Sequence, residues 1–432
     1  MRVRAAVIGL ALFCSACAGP FLRYKKDINR LVAAQNFTPA VSQLEENKNK
    51  LYKEKDAALY FLDKAALLHD AQQPAKSDEA LSTAQNIIEQ LYAKSVTGAL
   101  GTLLINDLTT PYYAAPYEKA LTFFYRGMNF LQQNDLQGAL VEARKAVFYL
   151  AQLRGTKTNG YNDDAFVQYF SSLVFESGAQ RDDARISRQN ALNAYQKNGW
   201  PVPDFPVPAN ADQMGEILIF HYNGLLPLLK NQTMQVGWDK LLLWASSPVE
   251  GERVSPQVQN AVMAGLTGRS VTLAFPVFEE QPYQTKSSFV TADGVFAQAT
   301  QKVQDTSVLA KNYLQERTPA MLFRLATRAV IKQTAVVQAR HAAAQAAQDD
   351  TVGELAGMFV NLLGALTETA DTRQWFTLPA EVRLSRIFVA PGTHEIKLWF
   401  QDGYGNIIGE HNFGPVRVRA GERVFLHHRT AK

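Results

Sequence analysis

Cysteine is almost missing from this chain. Of 432 residues only Cys14 and Cys17 carry a thiol. Two thiols so placed cannot build a disulfide framework or a four-ligand zinc site. A dominant charge sign is missing too. Lys and Arg total 44 against 40 for Asp and Glu, a formal net charge of +4, so bulk charge does not point to nucleic acid. Beyond the N-terminus no stretch reaches the length of apolar sequence that a transmembrane helix needs, about 18 residues or more. The signatures of common catalysts are absent as well: there is no Gly-x-Ser-x-Gly, no His-Glu-x-x-His and no dinucleotide fingerprint. The Gly-rich stretch Ser95-Val-Thr-Gly-Ala-Leu-Gly-Thr has no Gly-Lys-Ser/Thr and fails as a phosphate loop.

What is present begins at the front. Arg2 and Arg4 make a positive start, and Ala5 to Phe13 is an apolar core, too short to span a bilayer but right for a secretory signal. Ser15 and Ala16 then precede Cys17. This resembles the lipobox of bacterial lipoproteins, with Cys14 where Leu is usual. The resemblance implies a signal peptide over 1–16 and a lipid on the Cys17 sulfur, with Cys14 discarded. Several acyl chains on one residue attach a protein to a membrane without a transmembrane helix. Ala18 and Gly19 follow, with no Asp at the second position, which implies the outer membrane, periplasmic side. Losing Arg2 and Arg4 takes the net charge from +4 to +2.

The expected fold class is α+β. Residues 17–56 read as the lipidated Cys, a tether and a first helix. Residues 57–198 read as a helical repeat domain, because apolar residues recur at three- and four-residue spacing between turn signals such as Gln133-Asn134-Asp135. One unit is close to a tetratricopeptide repeat: Phe123, Gly127 and Phe130 on a first helix, then Ala139, Ala143 and Ala146 on a second. Small residues on one helix let a partner helix approach. Weaker matches run Phe170, Phe175, Ala184, Ala191 and Leu67, Leu68, Ala80, Ala84. Arrays of this kind usually offer a concave surface to another polypeptide.

Residues 199–212 form a Pro-rich linker. A mixed strand and long-helix region is expected over 213–366. Glu216-Ile-Leu-Ile-Phe-His-Tyr-Asn reads as a strand, Pro276 suggests an edge, and Asp293-Gly294 centres a hairpin. Thr318-Pro319 reads as the start of a helix whose Arg324, Arg328 and Lys332 share one face. Gly353 to Leu366 continues as an apolar helical segment. Residues 367–432 alternate as a small antiparallel β-sandwich.

No catalytic residue stands out, and neither a cofactor nor a metal is expected. His427 and His428 are adjacent, so on a strand they point apart rather than converge with His394 and His411. Asp163-Asp164 and Asp182-Asp183 suit helix starts. Asp371, Arg373 and Trp375 lie two apart and would face one side of an extended stretch. With Arg324, Arg328 and Lys332 they could brace the helix against the β-domain through a buried ion network, or line a pocket for an acidic ligand. Arginines in such a domain more often brace, so bracing is the expectation.

The lipobox, Pro116-Tyr117, Asn223-Gly-Leu-Leu-Pro227, the Arg324/Arg328/Lys332 helix and above all Ala370-Asp-Thr-Arg-Gln-Trp-Phe-Thr-Leu-Pro-Ala380 resemble a family of tetratricopeptide-containing envelope lipoproteins of bacteria. In that family the second segment more often reads Gly-Leu-Ala-Pro, so Leu226 departs from it. Members often accompany a lipoprotein resembling activators of penicillin-binding proteins. The resemblance supplies no catalytic residues. The function expected is therefore a scaffold in envelope assembly, with peptidoglycan synthesis as the candidate process. Its partners would be envelope proteins or lipoproteins in the helical groove, not nucleic acid. An envelope glycan-binding protein or hydrolase is the alternative, or an accessory subunit of a secretion or surface-appendage complex.

Overall fold

The computed structural model describes residues 20–97, 110–154, 164–247, 270–346 and 369–432. The expected signal peptide, Cys17 and the segment Gly353 to Leu366 lie outside them. The fold is mixed α+β, helical first and then built from sheets.

Helices α1 (Pro20–Ala33), α2 (Phe37–Glu46), α3 (Lys48–Leu51), α4 (Ala57–Asp70), α5 (Pro74–Thr97), α6 (Pro116–Gln132), α7 (Leu136–Arg154), α8 (Ala165–Ser177) and α9 (Arg181–Lys197) come first. Four pairs turn on the same device. Gln35, Gln72, Asn134 and Ala179 sit at φ between 55° and 59°. The next N–H in each case reaches back five residues: Asn36 to Leu31, Gln73 to Leu68, Asp135 to Phe130 and Gln180 to Phe175, all at 2.8–2.9 Å. This pattern satisfies carbonyls that a helix end leaves unpaired.

The first helix of each hairpin is an inner layer and the second an outer one. Eleven consecutive residues of α8, Ala165 to Phe175, are buried, whereas α9 buries only Ala184, Ser187, Ala191, Ala194 and Tyr195. Gly127 lets α6 and α8 touch, since a Cβ there would stand 2.8 Å from Phe170 Cε1. Ala139, Ala143 and Ala146 of α7 are buried against the same pair.

Strands follow: β1 (Gly215–Asn223), β2 (Leu228–Gly237), β3 (Ser270–Glu279), β4 (Ser287–Ala292), β5 (Val295–Ala299), β6 (Gln301–Asp305), β7 (Glu381–Val389), β8 (Gly392–Gln401), β9 (Ile407–Val418) and β10 (Arg423–Thr430). Helix α10 (Trp238–Ser246) follows β2, and α11 (Thr306–Ala346) follows β6. One sheet runs β10-β1-β7-β6 and another β5-β4-β8-β9; β2 and β3 pair separately. Asp293 and Gly294, both with positive φ, turn β4 into β5 as the hairpin signal predicts.

Every residue of β1 is buried, because its two faces serve two cores. Leu218, Phe220 and Tyr222 join the helical core. Ile217 and Ile219 join Val290, Ile387, Ile396, Leu398 and Val416 between the two four-stranded sheets. Alternation with period two makes this division. The layers are therefore outer helices, inner helices, the β1 sheet and the β4 sheet.

Two expectations change. The sandwich is not made from 367–432 alone, nor is it wholly antiparallel: β1, β4, β5 and β6 precede residue 367, and β1 pairs parallel with β10. The long helix begins at Thr306, and Pro319 lies inside it. The Asp305 carboxylate accepts the Val308 N–H at 3.0 Å and caps that start, while buried Leu309 and Ala310 anchor the first turns. Among the described residues, β1 covers part of the inner face of the helices. Phe220 of β1 packs on Phe124, Phe166 and Phe170, and Tyr222 on His69, Phe124 and Tyr125.

Candidate functional site: a cavity beside a buried strap

The stretch 371–378 threads between the helices and the β1 sheet as a strap, and nearly every residue of it is held. Lys25 of α1, fully buried, donates to the Thr372 carbonyl at 2.7 Å. Arg373 forks onto Asp371 (Nε–Oδ1 2.9 Å, Nη2–Oδ2 2.6 Å) and reaches Asp56 at 2.8 Å and the Thr110 carbonyl at 2.9 Å. Gln374 accepts from Leu229 N and donates to the Pro227 carbonyl. The Trp375 backbone N–H donates to Glu118 at 2.9 Å. The Thr377 hydroxyl donates to Asp63 at 3.0 Å. A bidentate guanidinium–carboxylate pair adds geometric precision to charge.

Burial governs the charges here. It pushes Asp63 up to about 8, against hydrogen bonds from Tyr52 and Thr377 and the Lys25 charge that favour the carboxylate. The same burial pulls Lys25 down to about 8. Glu118 is raised by burial although Tyr112 donates to it at 2.5 Å and Ala115 N at 2.8 Å. For Arg373 the desolvation is outweighed by Asp371 and Asp56, which hold it charged.

Against this strap lies a cavity of about 270 Å³. Its walls are aromatic and aliphatic (Tyr112, Tyr113, Tyr117, Phe278, Tyr313, Met321), and Arg317 and Arg324 of α11 stand beside Asp371 and Arg373 in its lining. The α11 contributors Ala310, Tyr313, Leu314, Arg317, Met321 and Arg324 recur at three-, four- and seven-residue spacing, which places them on one helix face.

Arg324, Asp371 and Arg373 thus line one cavity. Arg373 is braced by Asp56 from the N-terminal helices, and this ion pair ties the strap to those helices. Trp375 is fully buried with its ring against Tyr125, inside the apolar core. Arg328 is buried on α11, while the Lys332 side chain lies outside the described residues. Arg324 and Arg328 each make a further polar interaction. Sequence reasoning passed over Asp56, Asp63, Glu118 and Lys25. The one available signal was acidic residues inside otherwise apolar helical runs, such as Asp63 within Leu59 to Leu68.

A second, larger cleft of about 630 Å³ opens where the α4–α5 and α6–α7 turns meet β10; Gln72, Gln132, Asn134, Phe413, Arg423 and His427 line it. Gln72 and Gln132 both reach ring nitrogens of His427, whose ring stacks on His69 at 4.1 Å. Burial holds His427 well below the usual imidazole range. His428 turns the other way, onto His411 at 3.8 Å. Among the described residues no three His, Cys, Asp or Glu side chains stand together as metal ligands, and no helix is long and apolar enough to cross a membrane. No protein-family model matches the chain, and none of the curated proteins compared with it is significantly similar.

Proposed function

We propose that this chain is an outer-membrane-anchored periplasmic lipoprotein that works as a protein–protein interaction scaffold in envelope assembly, with peptidoglycan synthesis as the candidate process. The Arg2 to Cys17 front end supports the anchor. The four hairpins closed by one repeated turn, with small residues at Gly127, Ala139, Ala143 and Ala146, support a tetratricopeptide-like array, and the two stacked sheets support a terminal β-sandwich.

The observation that carries the scaffold is on the outer helices. Val141 and Phe148 lie seven residues apart on α7, 45% and 67% exposed, and Ile186 of α9 is 48% exposed. β1 covers part of the inner helical face, and the exposed apolar groups of the outer helices offer a contact surface to an envelope protein.

Two measurements test this. Replacing Cys17 by Ala should release the protein from the membrane fraction and abolish labelling by radioactive palmitate; labelling that persists removes the anchor. A photo-crosslinker at position 148 in living cells should trap a stoichiometric envelope partner that Phe148→Glu loses. A mature protein recovered alone would end the scaffold.

The glycan-binding or hydrolase reading is favoured by one observation, the amide-lined 630 Å³ cleft. Side-chain amides and a neutral imidazole suit hydroxyl and N-acetyl groups. Sedimentation with purified peptidoglycan that Gln132→Ala with Asn134→Ala abolishes would support it.

A further inference from the structure

We propose that the lysine-rich segment 47–55 is a second membrane contact: a cationic surface that rests on anionic phospholipid headgroups beside the acyl anchor. The choice of occupant rests on the lipid-anchored reading of Cys17. Three observations carry it: where the segment lies, how it is held and what charge it shows.

Its place follows from α1. That helix starts at Pro20, three residues after Cys17, and three extended residues reach at most about 11 Å. In the first turn of α1 the Phe21 ring meets the Tyr52 ring edge-on at 5.7 Å. Lys50 and Lys53 flank Tyr52. An anchored molecule thus keeps this segment close to the bilayer surface, where the field of anionic lipid decays over a Debye length of about 8 Å.

The segment is pinned from inside. The Tyr52 hydroxyl donates to buried Asp63 at 2.9 Å. The Asn47 amide donates to the Gln43 carbonyl at 2.8 Å, and the Lys55 carbonyl accepts the Tyr112 N–H at 2.9 Å. Lys48 lies over the Tyr60 ring, 4.7 Å from its centroid. The lysines therefore stand on a fixed backbone.

Their charge is not spent within the chain. Lys48, Lys50 and Lys53 are exposed and Lys55 is half-buried. Among the described residues no ion pair engages any of the four. The neighbouring acids Asp56 and Glu45 are matched by Arg373 and Lys64. That leaves exposed Glu46 and Glu54 against four lysines. An acyl tether alone lets a protein swivel, whereas a second contact fixes which face looks outward. Each lysine near an anionic surface adds about fivefold in affinity.

The experiment uses the whole mature chain with Cys17→Ala, which carries no acyl group. Its probes are phosphatidylcholine vesicles with and without about one-third phosphatidylglycerol, and sedimentation reads binding. At low salt the anionic vesicles should bind at least about tenfold more tightly than the neutral ones, and the difference should vanish at about 0.5 M salt. Lys50→Gln with Lys53→Gln should weaken binding about 25-fold. Arg144→Gln with Lys197→Gln, which removes the same charge from exposed positions of α7 and α9, should weaken it less than about twofold.

Equal binding to both kinds of vesicle, or no binding, would overturn the surface. So would equal weakening by the two double variants, or a DNA duplex bound as tightly as the anionic vesicles. Palmitate labelling of the wild type reads the anchor separately. Missing label with intact vesicle binding would end the anchor and keep the surface.

Discussion

The helices and the strands of this molecule are assembled on different rules. From α4 to α9 each hairpin packs on its chain neighbour, and one turn pattern recurs at Gln72, Asn134 and Ala179. β1 instead lies between two strands from the far end of the chain, with Asn223 opposite Glu381 on one side and Thr430 on the other. Local rules make the array, but they do not complete it. Its inner face is finished by Phe220, Tyr222 and the strap. The two halves therefore share one core, and each depends on side chains that the other supplies.

The sharpest way to break that dependence is Arg373→Ala. It leaves Asp56 and Asp371 without their common guanidinium, with Asp56 only 10% exposed at its side chain. Removing one partner of such a pair costs about 3 kcal/mol or more. Urea unfolding should shift to lower concentration as a single transition seen alike by far-ultraviolet circular dichroism and tryptophan fluorescence. Two separate transitions would mean that the halves fold independently after all.

A pH experiment comes next. Burial pushes Asp70 up to about 7 despite the Arg429 charge, while an unfolded Asp titrates near about 3.9. Between those values the folded state holds a proton that the unfolded state has released, so this group lowers stability as pH rises from about 4 to about 7. His69, pulled down to about 4 by burial, acts with the opposite sign in the same window. Asp70→Asn should gain roughly 1–3 kcal/mol over the wild type at pH 8 and almost nothing at pH 4. An equal gain at both pH values would remove the titration from the explanation.

Two smaller effects test the array itself. Gly127→Ala adds helix propensity of up to about 1 kcal/mol, yet its methyl would press on Phe170, an overpacking worth about 1–3 kcal/mol. The clash should win by about 1 kcal/mol, read as a lower melting temperature. Ala179→Gly should go the other way by roughly 0.5 kcal/mol, because φ of 55° strains alanine but not glycine. A loss of stability there would mean that the turn is held by something other than its backbone.

Particular residues show how far the chain could be read in advance. The helices were legible because apolar spacing and turn residues act over a few positions, as at Phe123, Gly127 and Asn134. So was the hairpin at Asp293-Gly294. The start of α11 was missed, since Thr318-Pro319 imitates a helix start while the cap at Asp305 lies thirteen residues before Thr318. At the cavity, Arg324, Asp371 and Arg373 were legible as charged residues in unusual places. Asp56, Asp63 and Glu118 were not, because a carboxylate on a helix looks the same whether it meets water or a strap.

By itself, then, the sequence determined where helices and strands form and which side chains have apolar faces to bury. It also marked 370–380 as a stretch unlike its surroundings. Those are short-range properties, set by backbone propensity and by periods of 3.6 and 2. Only the tertiary structure decided that β1 would fill the helical array, that Asp56 would meet Arg373 across 317 positions, and that a helix face and a strap would enclose a cavity. Such pairings depend on which buried surfaces and buried charges find one another in space, and no local pattern encodes that choice.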